Sequence, residues 1–173
     1  MIFVTVGTQL PFDRLLNAVD EWALHNPGRQ IIAQTGVSKV ASPRINARAF
    51  VDAATFKSLA REAEVIVAHA GMGSILTGIE LAKPVIIMPR RAELGEHRND
   101  HQLATAENLA HLSNLRVAHD GEDLATALSE VFNTSPLTRL KDDISEGHQR
   151  LVGEIRNFIS GAPLGVAIPG RGF

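Results

Sequence analysis

Val-Ile-Val-Ala-His-Ala-Gly-Met-Gly-Ser (65–74), then Lys-Pro-Val-Ile-Ile-Met-Pro (83–89), then Gly-Glu-His-Arg-Asn-Asp-His-Gln (95–102) is the stretch that decides the fold. Val65–Ala68 and Val85–Met88 are continuous apolar runs without alternation, the pattern of strands buried on both faces and so of a parallel sheet covered by helices. Residues Gly73–Ala82 between them supply the crossover helix. A glycine turn feeding a helix N-terminus can hold anionic oxygens, because free backbone N–H groups and the helix dipole point at the same spot. The polar residues after the second run then fall at the crevice where open α/β sheets take ligands.

The same alternation extends in both directions. Ile2–Val6 is a β-branched and aromatic run that ends at Gly7, and Phe12, Leu15, Leu16, Val19 and Trp22 mark one face of a helix. Asn26-Pro27-Gly28 stops that helix, and Gln30–Gln34 is a second strand closed by Thr35-Gly36. Ala49–Val51 is expected to be a short strand, with Asp52 the N-cap of a helix whose inner face carries Phe56, Leu59, Ala60 and Ala63. Downstream, Leu103, Ala106, Leu109 and Ala110 share a helical face, Leu115–Ala118 is a brief strand, and Leu124, Ala127, Leu128 and Val131 give a further helix. A last long helix is expected to carry Leu140, Ile144, Leu151, Ile155, Phe158 and Ile159. The Gly/Pro-rich tail 161–173 reads as extended or disordered. This is an α/β chain with one doubly wound parallel sheet, a single domain over residues 1–160.

Composition narrows the function. The 173 residues hold 17 Lys+Arg and 19 Asp+Glu, a net charge of −2, which argues against a bulk electrostatic grip on nucleic acid or an anionic membrane. With no cysteine, disulfides and thiolate catalysis are excluded. No segment reaches the roughly 18–20 apolar residues that cross a bilayer, and the N-terminus reads as a strand rather than a signal peptide, so the expected location is the cytoplasm.

Three segments carry chemistry. Gly7-Thr8-Gln9, directly after the first strand, offers a close backbone approach and side-chain donors for phosphate oxygens, or is a plain strand-to-helix turn. His69-Ala70-Gly71-Met72-Gly73-Ser74 is the glycine turn itself, where Ser74 either caps the helix or donates to a phosphate and His69 is either a ligand contact or a core histidine. It is not the dinucleotide fingerprint, whose third glycine would fall at Leu76, nor a P-loop, which needs Gly-Lys-Ser/Thr. In the loop 89–102, Asn, Asp, His and Gln suit sugar hydroxyls, while Arg90, Arg91 and Arg98 suit phosphate or carboxylate, against the alternative of a solvated surface loop. His97, Asp100 and His101 match no familiar zinc spacing. No Gly-x-Ser-x-Gly elbow supports serine hydrolysis.

These segments together, over about residues 1–160, resemble the family-28 glycosyltransferase C-terminal domain. The chain is most similar to the small donor-binding subunits of two-component UDP-sugar transferases, among them bacterial exopolysaccharide and capsule proteins and the cytosolic subunit that helps extend dolichol-linked sugar. The resemblance implies the nucleotide-sugar half of a GT-B enzyme. Its glycine-polar turn falls on Gly7, Thr8 and Gln9, and its diphosphate site on Gly71, Gly73 and Ser74, beside His69. Its sugar-reading pair falls on His101 and Gln102, and its uracil-side contact near Phe50. Arg90 would support the diphosphate. Many relatives hold the ribose with a glutamate in the crossover helix; counting back from Pro84, that position is Thr77 here, and Glu80 follows three residues later. The resemblance implies no cofactor and no metal. It implies a membrane-associated partner that binds a lipid-linked saccharide acceptor and recruits the chain to the inner face of the membrane. No catalytic residue carries over, since the family's base has no counterpart here; Glu96 and His97 are local candidates only. The alternative is a non-catalytic accessory protein that stabilises or stimulates a separate transferase.

Overall fold

A computed structural model describes residues 1–133; the expected helix through Leu140–Ile159 and the tail 161–173 lie outside them. Six strands alternate with five helices: β1 (Ile2–Thr5), α1 (Asp13–His25), β2 (Ile31–Gln34), β3 (Asn46–Arg48), α2 (Ala53–Glu62), β4 (Val65–His69), α3 (Met72–Glu80), β5 (Val85–Met88), α4 (His101–Leu109), β6 (Leu115–Val117) and α5 (Gly121–Asn133). All neighbouring strands pair in parallel, in the order β3-β2-β1-β4-β5-β6. The order reverses between β1 and β4. At that switch point the chain leaves toward opposite sides of the sheet, and a crevice opens beyond the strand ends.

Side-chain alternation along the strands feeds two separate cores. Ile2, Val4, Val65, Val67, Ile86 and Met88 face α1 and α5, packing with Leu15, Leu16, Val19, Leu124 and Leu128. On the opposite face Phe3, Ile32 and Ile66 meet Leu59 and Ala60 of α2, while Val85 and Ile87 meet Ile75, Ile79, Ala106 and Leu109 of α3 and α4. Both faces are covered, so β1, β2, β4 and β5 are buried at every residue except the terminal His69. That is why these strands read as unbroken apolar runs.

One strand departs from the expectation. The third runs over Asn46–Arg48 rather than Ala49–Val51, and its three residues are all exposed. It is an edge strand held by backbone bonds: Thr35 N–H donates to Arg48 C=O at 2.9 Å and Gly36 N–H to Ala49 C=O at 2.8 Å. Apolar pattern cannot locate a strand whose side chains face water. Asp52 caps α2 as expected, its carboxylate accepting the Thr55 N–H at 2.7 Å. Helix α1 has no cap of its own; Ser38 in the β2–β3 loop accepts the Phe12 N–H at 2.7 Å.

Candidate functional site

A cavity of about 790 Å³ lies over the C-terminal ends of β1, β2 and β4, at the switch point. That volume is within the usual range for small-molecule sites. Its floor is formed by Thr5 and Gln34, adjacent in register on β1 and β2. Both are buried, and the Thr5 hydroxyl donates to Gln34 Oε1 at 2.7 Å. Sequence reading passed over this pair, although a polar residue that closes an apolar strand at the sheet's C-terminal edge is the signal that marks it.

The wall on the β4 side is the glycine turn. Helix α3 begins at Met72 with Gly71 as N-cap, so Ser74 sits inside the first turn rather than capping it. The first helical bond runs from Ile75 N–H to Gly71 C=O at 3.3 Å. The amides of Met72, Gly73 and Ser74 therefore have no acceptor within the helix and face the crevice end of its dipole. Gly71 and Gly73 differ in kind. A Cβ on Gly71 would fall 2.2 Å from His69 Nε2, whereas one on Gly73 would meet nothing within 4 Å. Gly7, at φ +80°, is likewise held against His69, its would-be Cβ 2.9 Å from Cε1. The imidazole of His69 is thus clasped between two glycines.

Burial first, and then the nearby positive charge of Arg90, bring the His69 pKa down from 6.5 to about 4, and its Nδ1 is buried without a hydrogen-bond partner. The ring is neutral at pH 7.

Arg90 follows β5 and reaches under the turn after β1. Its Nη1 donates to Pro11 C=O at 2.6 Å and to Glu96 C=O at 3.2 Å; its Nη2 donates to Val6 C=O at 2.7 Å and to Leu10 C=O at 2.8 Å. The guanidinium also lies 4.4 Å from the centroid of Phe12. With four N–H groups on carbonyls, this buried side chain fixes the loop that carries Gly7, Thr8 and Gln9 and lends the site its charge from below. Its backbone N–H donates to Gln102 Oε1 at 3.2 Å, which anchors Gln102, buried in the first turn of α4. Glu96 does not line the cavity. Its carboxylate takes Arg14 in a fork at 2.7 and 2.8 Å and accepts Arg91 N–H at 2.9 Å. It is a brace between α1 and the loop. Arg91 is also outside the cavity, its Nη2 donating to His119 C=O at 3.1 Å.

Of the residues singled out from sequence, Gly7, Thr8, Gln9, His69, Gly71, Gly73, Ser74, Thr77, Glu80, Arg90, His101 and Gln102 line this one cavity. Phe50 does not; it is exposed on the loop, and its neighbour Val51 lines the wall instead. The cavity has two characters. Val51, Phe56 and Leu81 make an apolar end between α2 and α3, where Phe56 packs edge-on against Phe3 at 5.1 Å. Thr77 and Glu80 stand beside that end on α3, and the Thr77 hydroxyl donates to Gly73 C=O at 2.8 Å. Lys57 rises from α2 nearby. The other end is hydrogen-bonding: His97, His101 and Gln102. Between them lie the free amides of α3. Such a trough suits an elongated ligand with an aromatic end, an anionic middle and a hydroxyl-rich end. Among the described residues no group of three or more His, Asp or Glu is placed to hold a metal, and no helix is long and apolar enough to cross a membrane.

The family model described as the glycosyltransferase family 28 C-terminal domain matches residues 1–153. No curated protein matches the sequence. Among solved structures, the glycotransferase of kitacinnamycin superposes with a TM-score of 0.62 at 20% identity, covering 90% of this chain and 42% of that one. The Streptomyces sp. SF2575 glycosyltransferase SsfS6, complexed with thymidine diphosphate, gives 0.58 at 18% identity over 93% and 41%. The spinosyn rhamnosyltransferase SpnG complexed with spinosyn aglycone gives 0.58 at 15% over 91% and 44%. These likenesses establish the fold, and the chain spans less than half the length of each of these proteins.

Proposed function

The chain belongs to the glycosyltransferase family 28 C-terminal domain family, and from that premise we propose that it is the UDP-sugar-binding half of a two-component, inverting glycosyltransferase. The donor lies along the trough. The uracil rests on Val51, Phe56 and Leu81, with the ribose beside Thr77 and Glu80. The diphosphate meets the amides of Met72, Gly73 and Ser74 opposite Thr8 and Gln9, and the sugar meets His101 and Gln102. The observation that carries this reading is that one cavity brings together apolar side chains, the start of α3 with its first-turn amides, and the hydrogen-bonding side chains of His97, His101 and Gln102.

The chemistry follows from that placement. An acceptor hydroxyl attacks the anomeric carbon from the side opposite the diphosphate and loses its proton to a base, while the anomeric C–O bond breaks and its electron pair leaves with UDP. Charge grows on the β-phosphate oxygens, where preorganised amides and the α3 dipole stabilise it without reorganisation. Arg90 adds positive charge from beneath. The base and the acceptor pocket belong to a membrane-associated partner that presents a polyprenyl-diphosphate-linked saccharide in exopolysaccharide or capsule assembly and draws this chain to the cytoplasmic membrane face.

Calorimetric titration with UDP tests the reading, on the chain alone and co-purified with the product of the neighbouring open reading frame. Saturable binding, weakened in Gly73→Ala, is the expected result; absence of binding in both preparations overturns it. One observation favours a second reading, that of an accessory protein without donor chemistry. The ribose-side position is a threonine whose hydroxyl proton is already engaged by Gly73 C=O.

A further inference from the structure

Asn99 bonds to both imidazoles of the hydrogen-bonding wall. Its Oδ1 lies 2.5 Å from His101 Nδ1 and also accepts the His101 backbone N–H at 3.4 Å. A backbone N–H can only donate, so the atom it meets is the amide oxygen and not the amide nitrogen. An oxygen acceptor in turn requires His101 Nδ1 to carry the proton. On the other side, the Asn99 backbone N–H donates to His97 Nδ1 at 3.5 Å, so that nitrogen is the acceptor and His97 in its neutral form is protonated on Nε2. The two rings meet edge to face, centroids 4.4 Å apart at 69°. Both line the cavity, and neither Nε2 has a hydrogen-bond partner among the described residues.

We propose that Asn99 is a positioning residue that locks His97 and His101 in opposite tautomers, so that the wall presents one donor, His97 Nε2–H, beside one acceptor, His101 Nε2. A hydroxyl is the group that answers both: it donates to His101 and accepts from His97. The pair therefore selects a hydroxyl of the transferred sugar over a keto, fluoro or unsubstituted carbon at that place, since each of those leaves a member of the pair unmatched. The assignment to the sugar rests on the donor-binding reading above; the tautomers do not.

Long-range ¹H–¹⁵N spectra of the full chain at pH 8 read the tautomers directly. His101 is expected protonated on Nδ1 and His97 on Nε2. Because one arm of Asn99 is side chain and the other backbone, Asn99→Ala should release His101 into a tautomer mixture and leave His97 as it was, and Asn99→Asp should restore His101. A wild-type His101 protonated on Nε2, or an Asn99→Ala spectrum unchanged at His101, overturns the proposal. In calorimetry, Asn99→Ala should leave UDP affinity intact and lower the affinity of whichever of UDP-glucose, UDP-galactose and UDP-N-acetylglucosamine binds best by about tenfold, the loss of one well-placed hydrogen bond. Equal losses for UDP and UDP-sugar, or no loss for either, remove the hydroxyl-reading role. Failure of UDP itself to bind the wild type instead overturns the donor-binding reading, while the spectra still decide the tautomers.

Discussion

Arg90 and His69 shape the candidate site through contacts made largely beneath its surface, Arg90 buried and His69 half-buried. Arg90 is buried, with a guanidinium that makes four hydrogen bonds to main-chain carbonyls on two segments, 6–11 and the loop at Glu96. Lysine keeps the charge but not the planar fork, so Arg90→Lys should destabilise the fold by about 3 kcal/mol, measured by urea denaturation, because several carbonyls beneath the turn lose their partners together. A phosphate-only role for Arg90 would show the reverse pattern, weaker UDP binding at unchanged stability. His69 adds a pH dependence. Its pKa falls from 6.5 unfolded to about 4 folded, so between those values the unfolded chain binds more protons than the folded one. The stability that neutral His69 contributes is complete above pH 6.5 and is lost as pH falls toward 4, up to ~3 kcal/mol at one pKa unit per 1.4 kcal/mol. His69→Phe keeps a ring between Gly7 and Gly71 without the titration. The drop in urea midpoint from pH 7.5 to pH 4.5 should be smaller in this variant than in the wild type; equal drops would show that the wild-type loss arises elsewhere.

At the scale of elements, the start of α3 separates two glycines that sequence alone treats alike. Gly71 is required by the ring of His69, 2.2 Å from where a Cβ would stand, and Gly73 is bounded by open cavity. Gly71→Ala should therefore lower stability by about 1–3 kcal/mol, as overpacked sites do. Gly73→Ala should leave thermal stability unchanged or slightly raised, since alanine favours a helix, yet weaken UDP binding by narrowing the approach to the first-turn amides. Paired melting curves and UDP titrations of the two variants check the contrast. The same comparison shows what the sequence made legible. Strands β1, β4 and β5 could be read because burial on both faces forces an unbroken apolar run, and Asp52 because an N-cap is a local contact. The edge strand β3 could not, since its register lies in backbone bonds to Thr35 and Gly36. The turn after β1 was legible as a glycine position, but not its reason: His69 lies 62 residues away in sequence and touches it only through β1–β4 pairing. The Thr5–Gln34 bond, 29 residues apart, was hidden for the same reason. Arg90 lines the cavity, as its place after a buried strand suggested, though nothing local indicates that its N–H groups point at carbonyls.

At the scale of the whole described molecule, the cavity lies over the C-terminal ends of the strands, where the strand order reverses. The chain leaves the paired strands β1 and β4 toward opposite faces of the sheet, and the loops after β1, β4 and β5 supply the Gly7–Gln9 turn, the α3 amides and the histidine wall. Two of the acid–base candidates are already committed: His69 is held neutral beneath the turn, and Glu96 is tied to Arg14 outside the cavity. On the proposed donor-binding reading, this chain holds the leaving group while a partner brings the nucleophile. This division predicts a specific outcome for His101→Ala. His101 is exposed in the first turn of α4 and bonds chiefly to Asn99, so its removal should leave the fold within about 0.5 kcal/mol of wild type, as surface substitutions do. In a reconstituted pair of this chain and the proposed membrane partner, a donor-binding role predicts that transfer falls at least tenfold while the amount of complex recovered from membranes stays the same. An accessory role predicts unaltered transfer per complex, because the partner would then read the sugar alone. Turnover per mole of recovered complex therefore separates a half-enzyme from a stabilising companion.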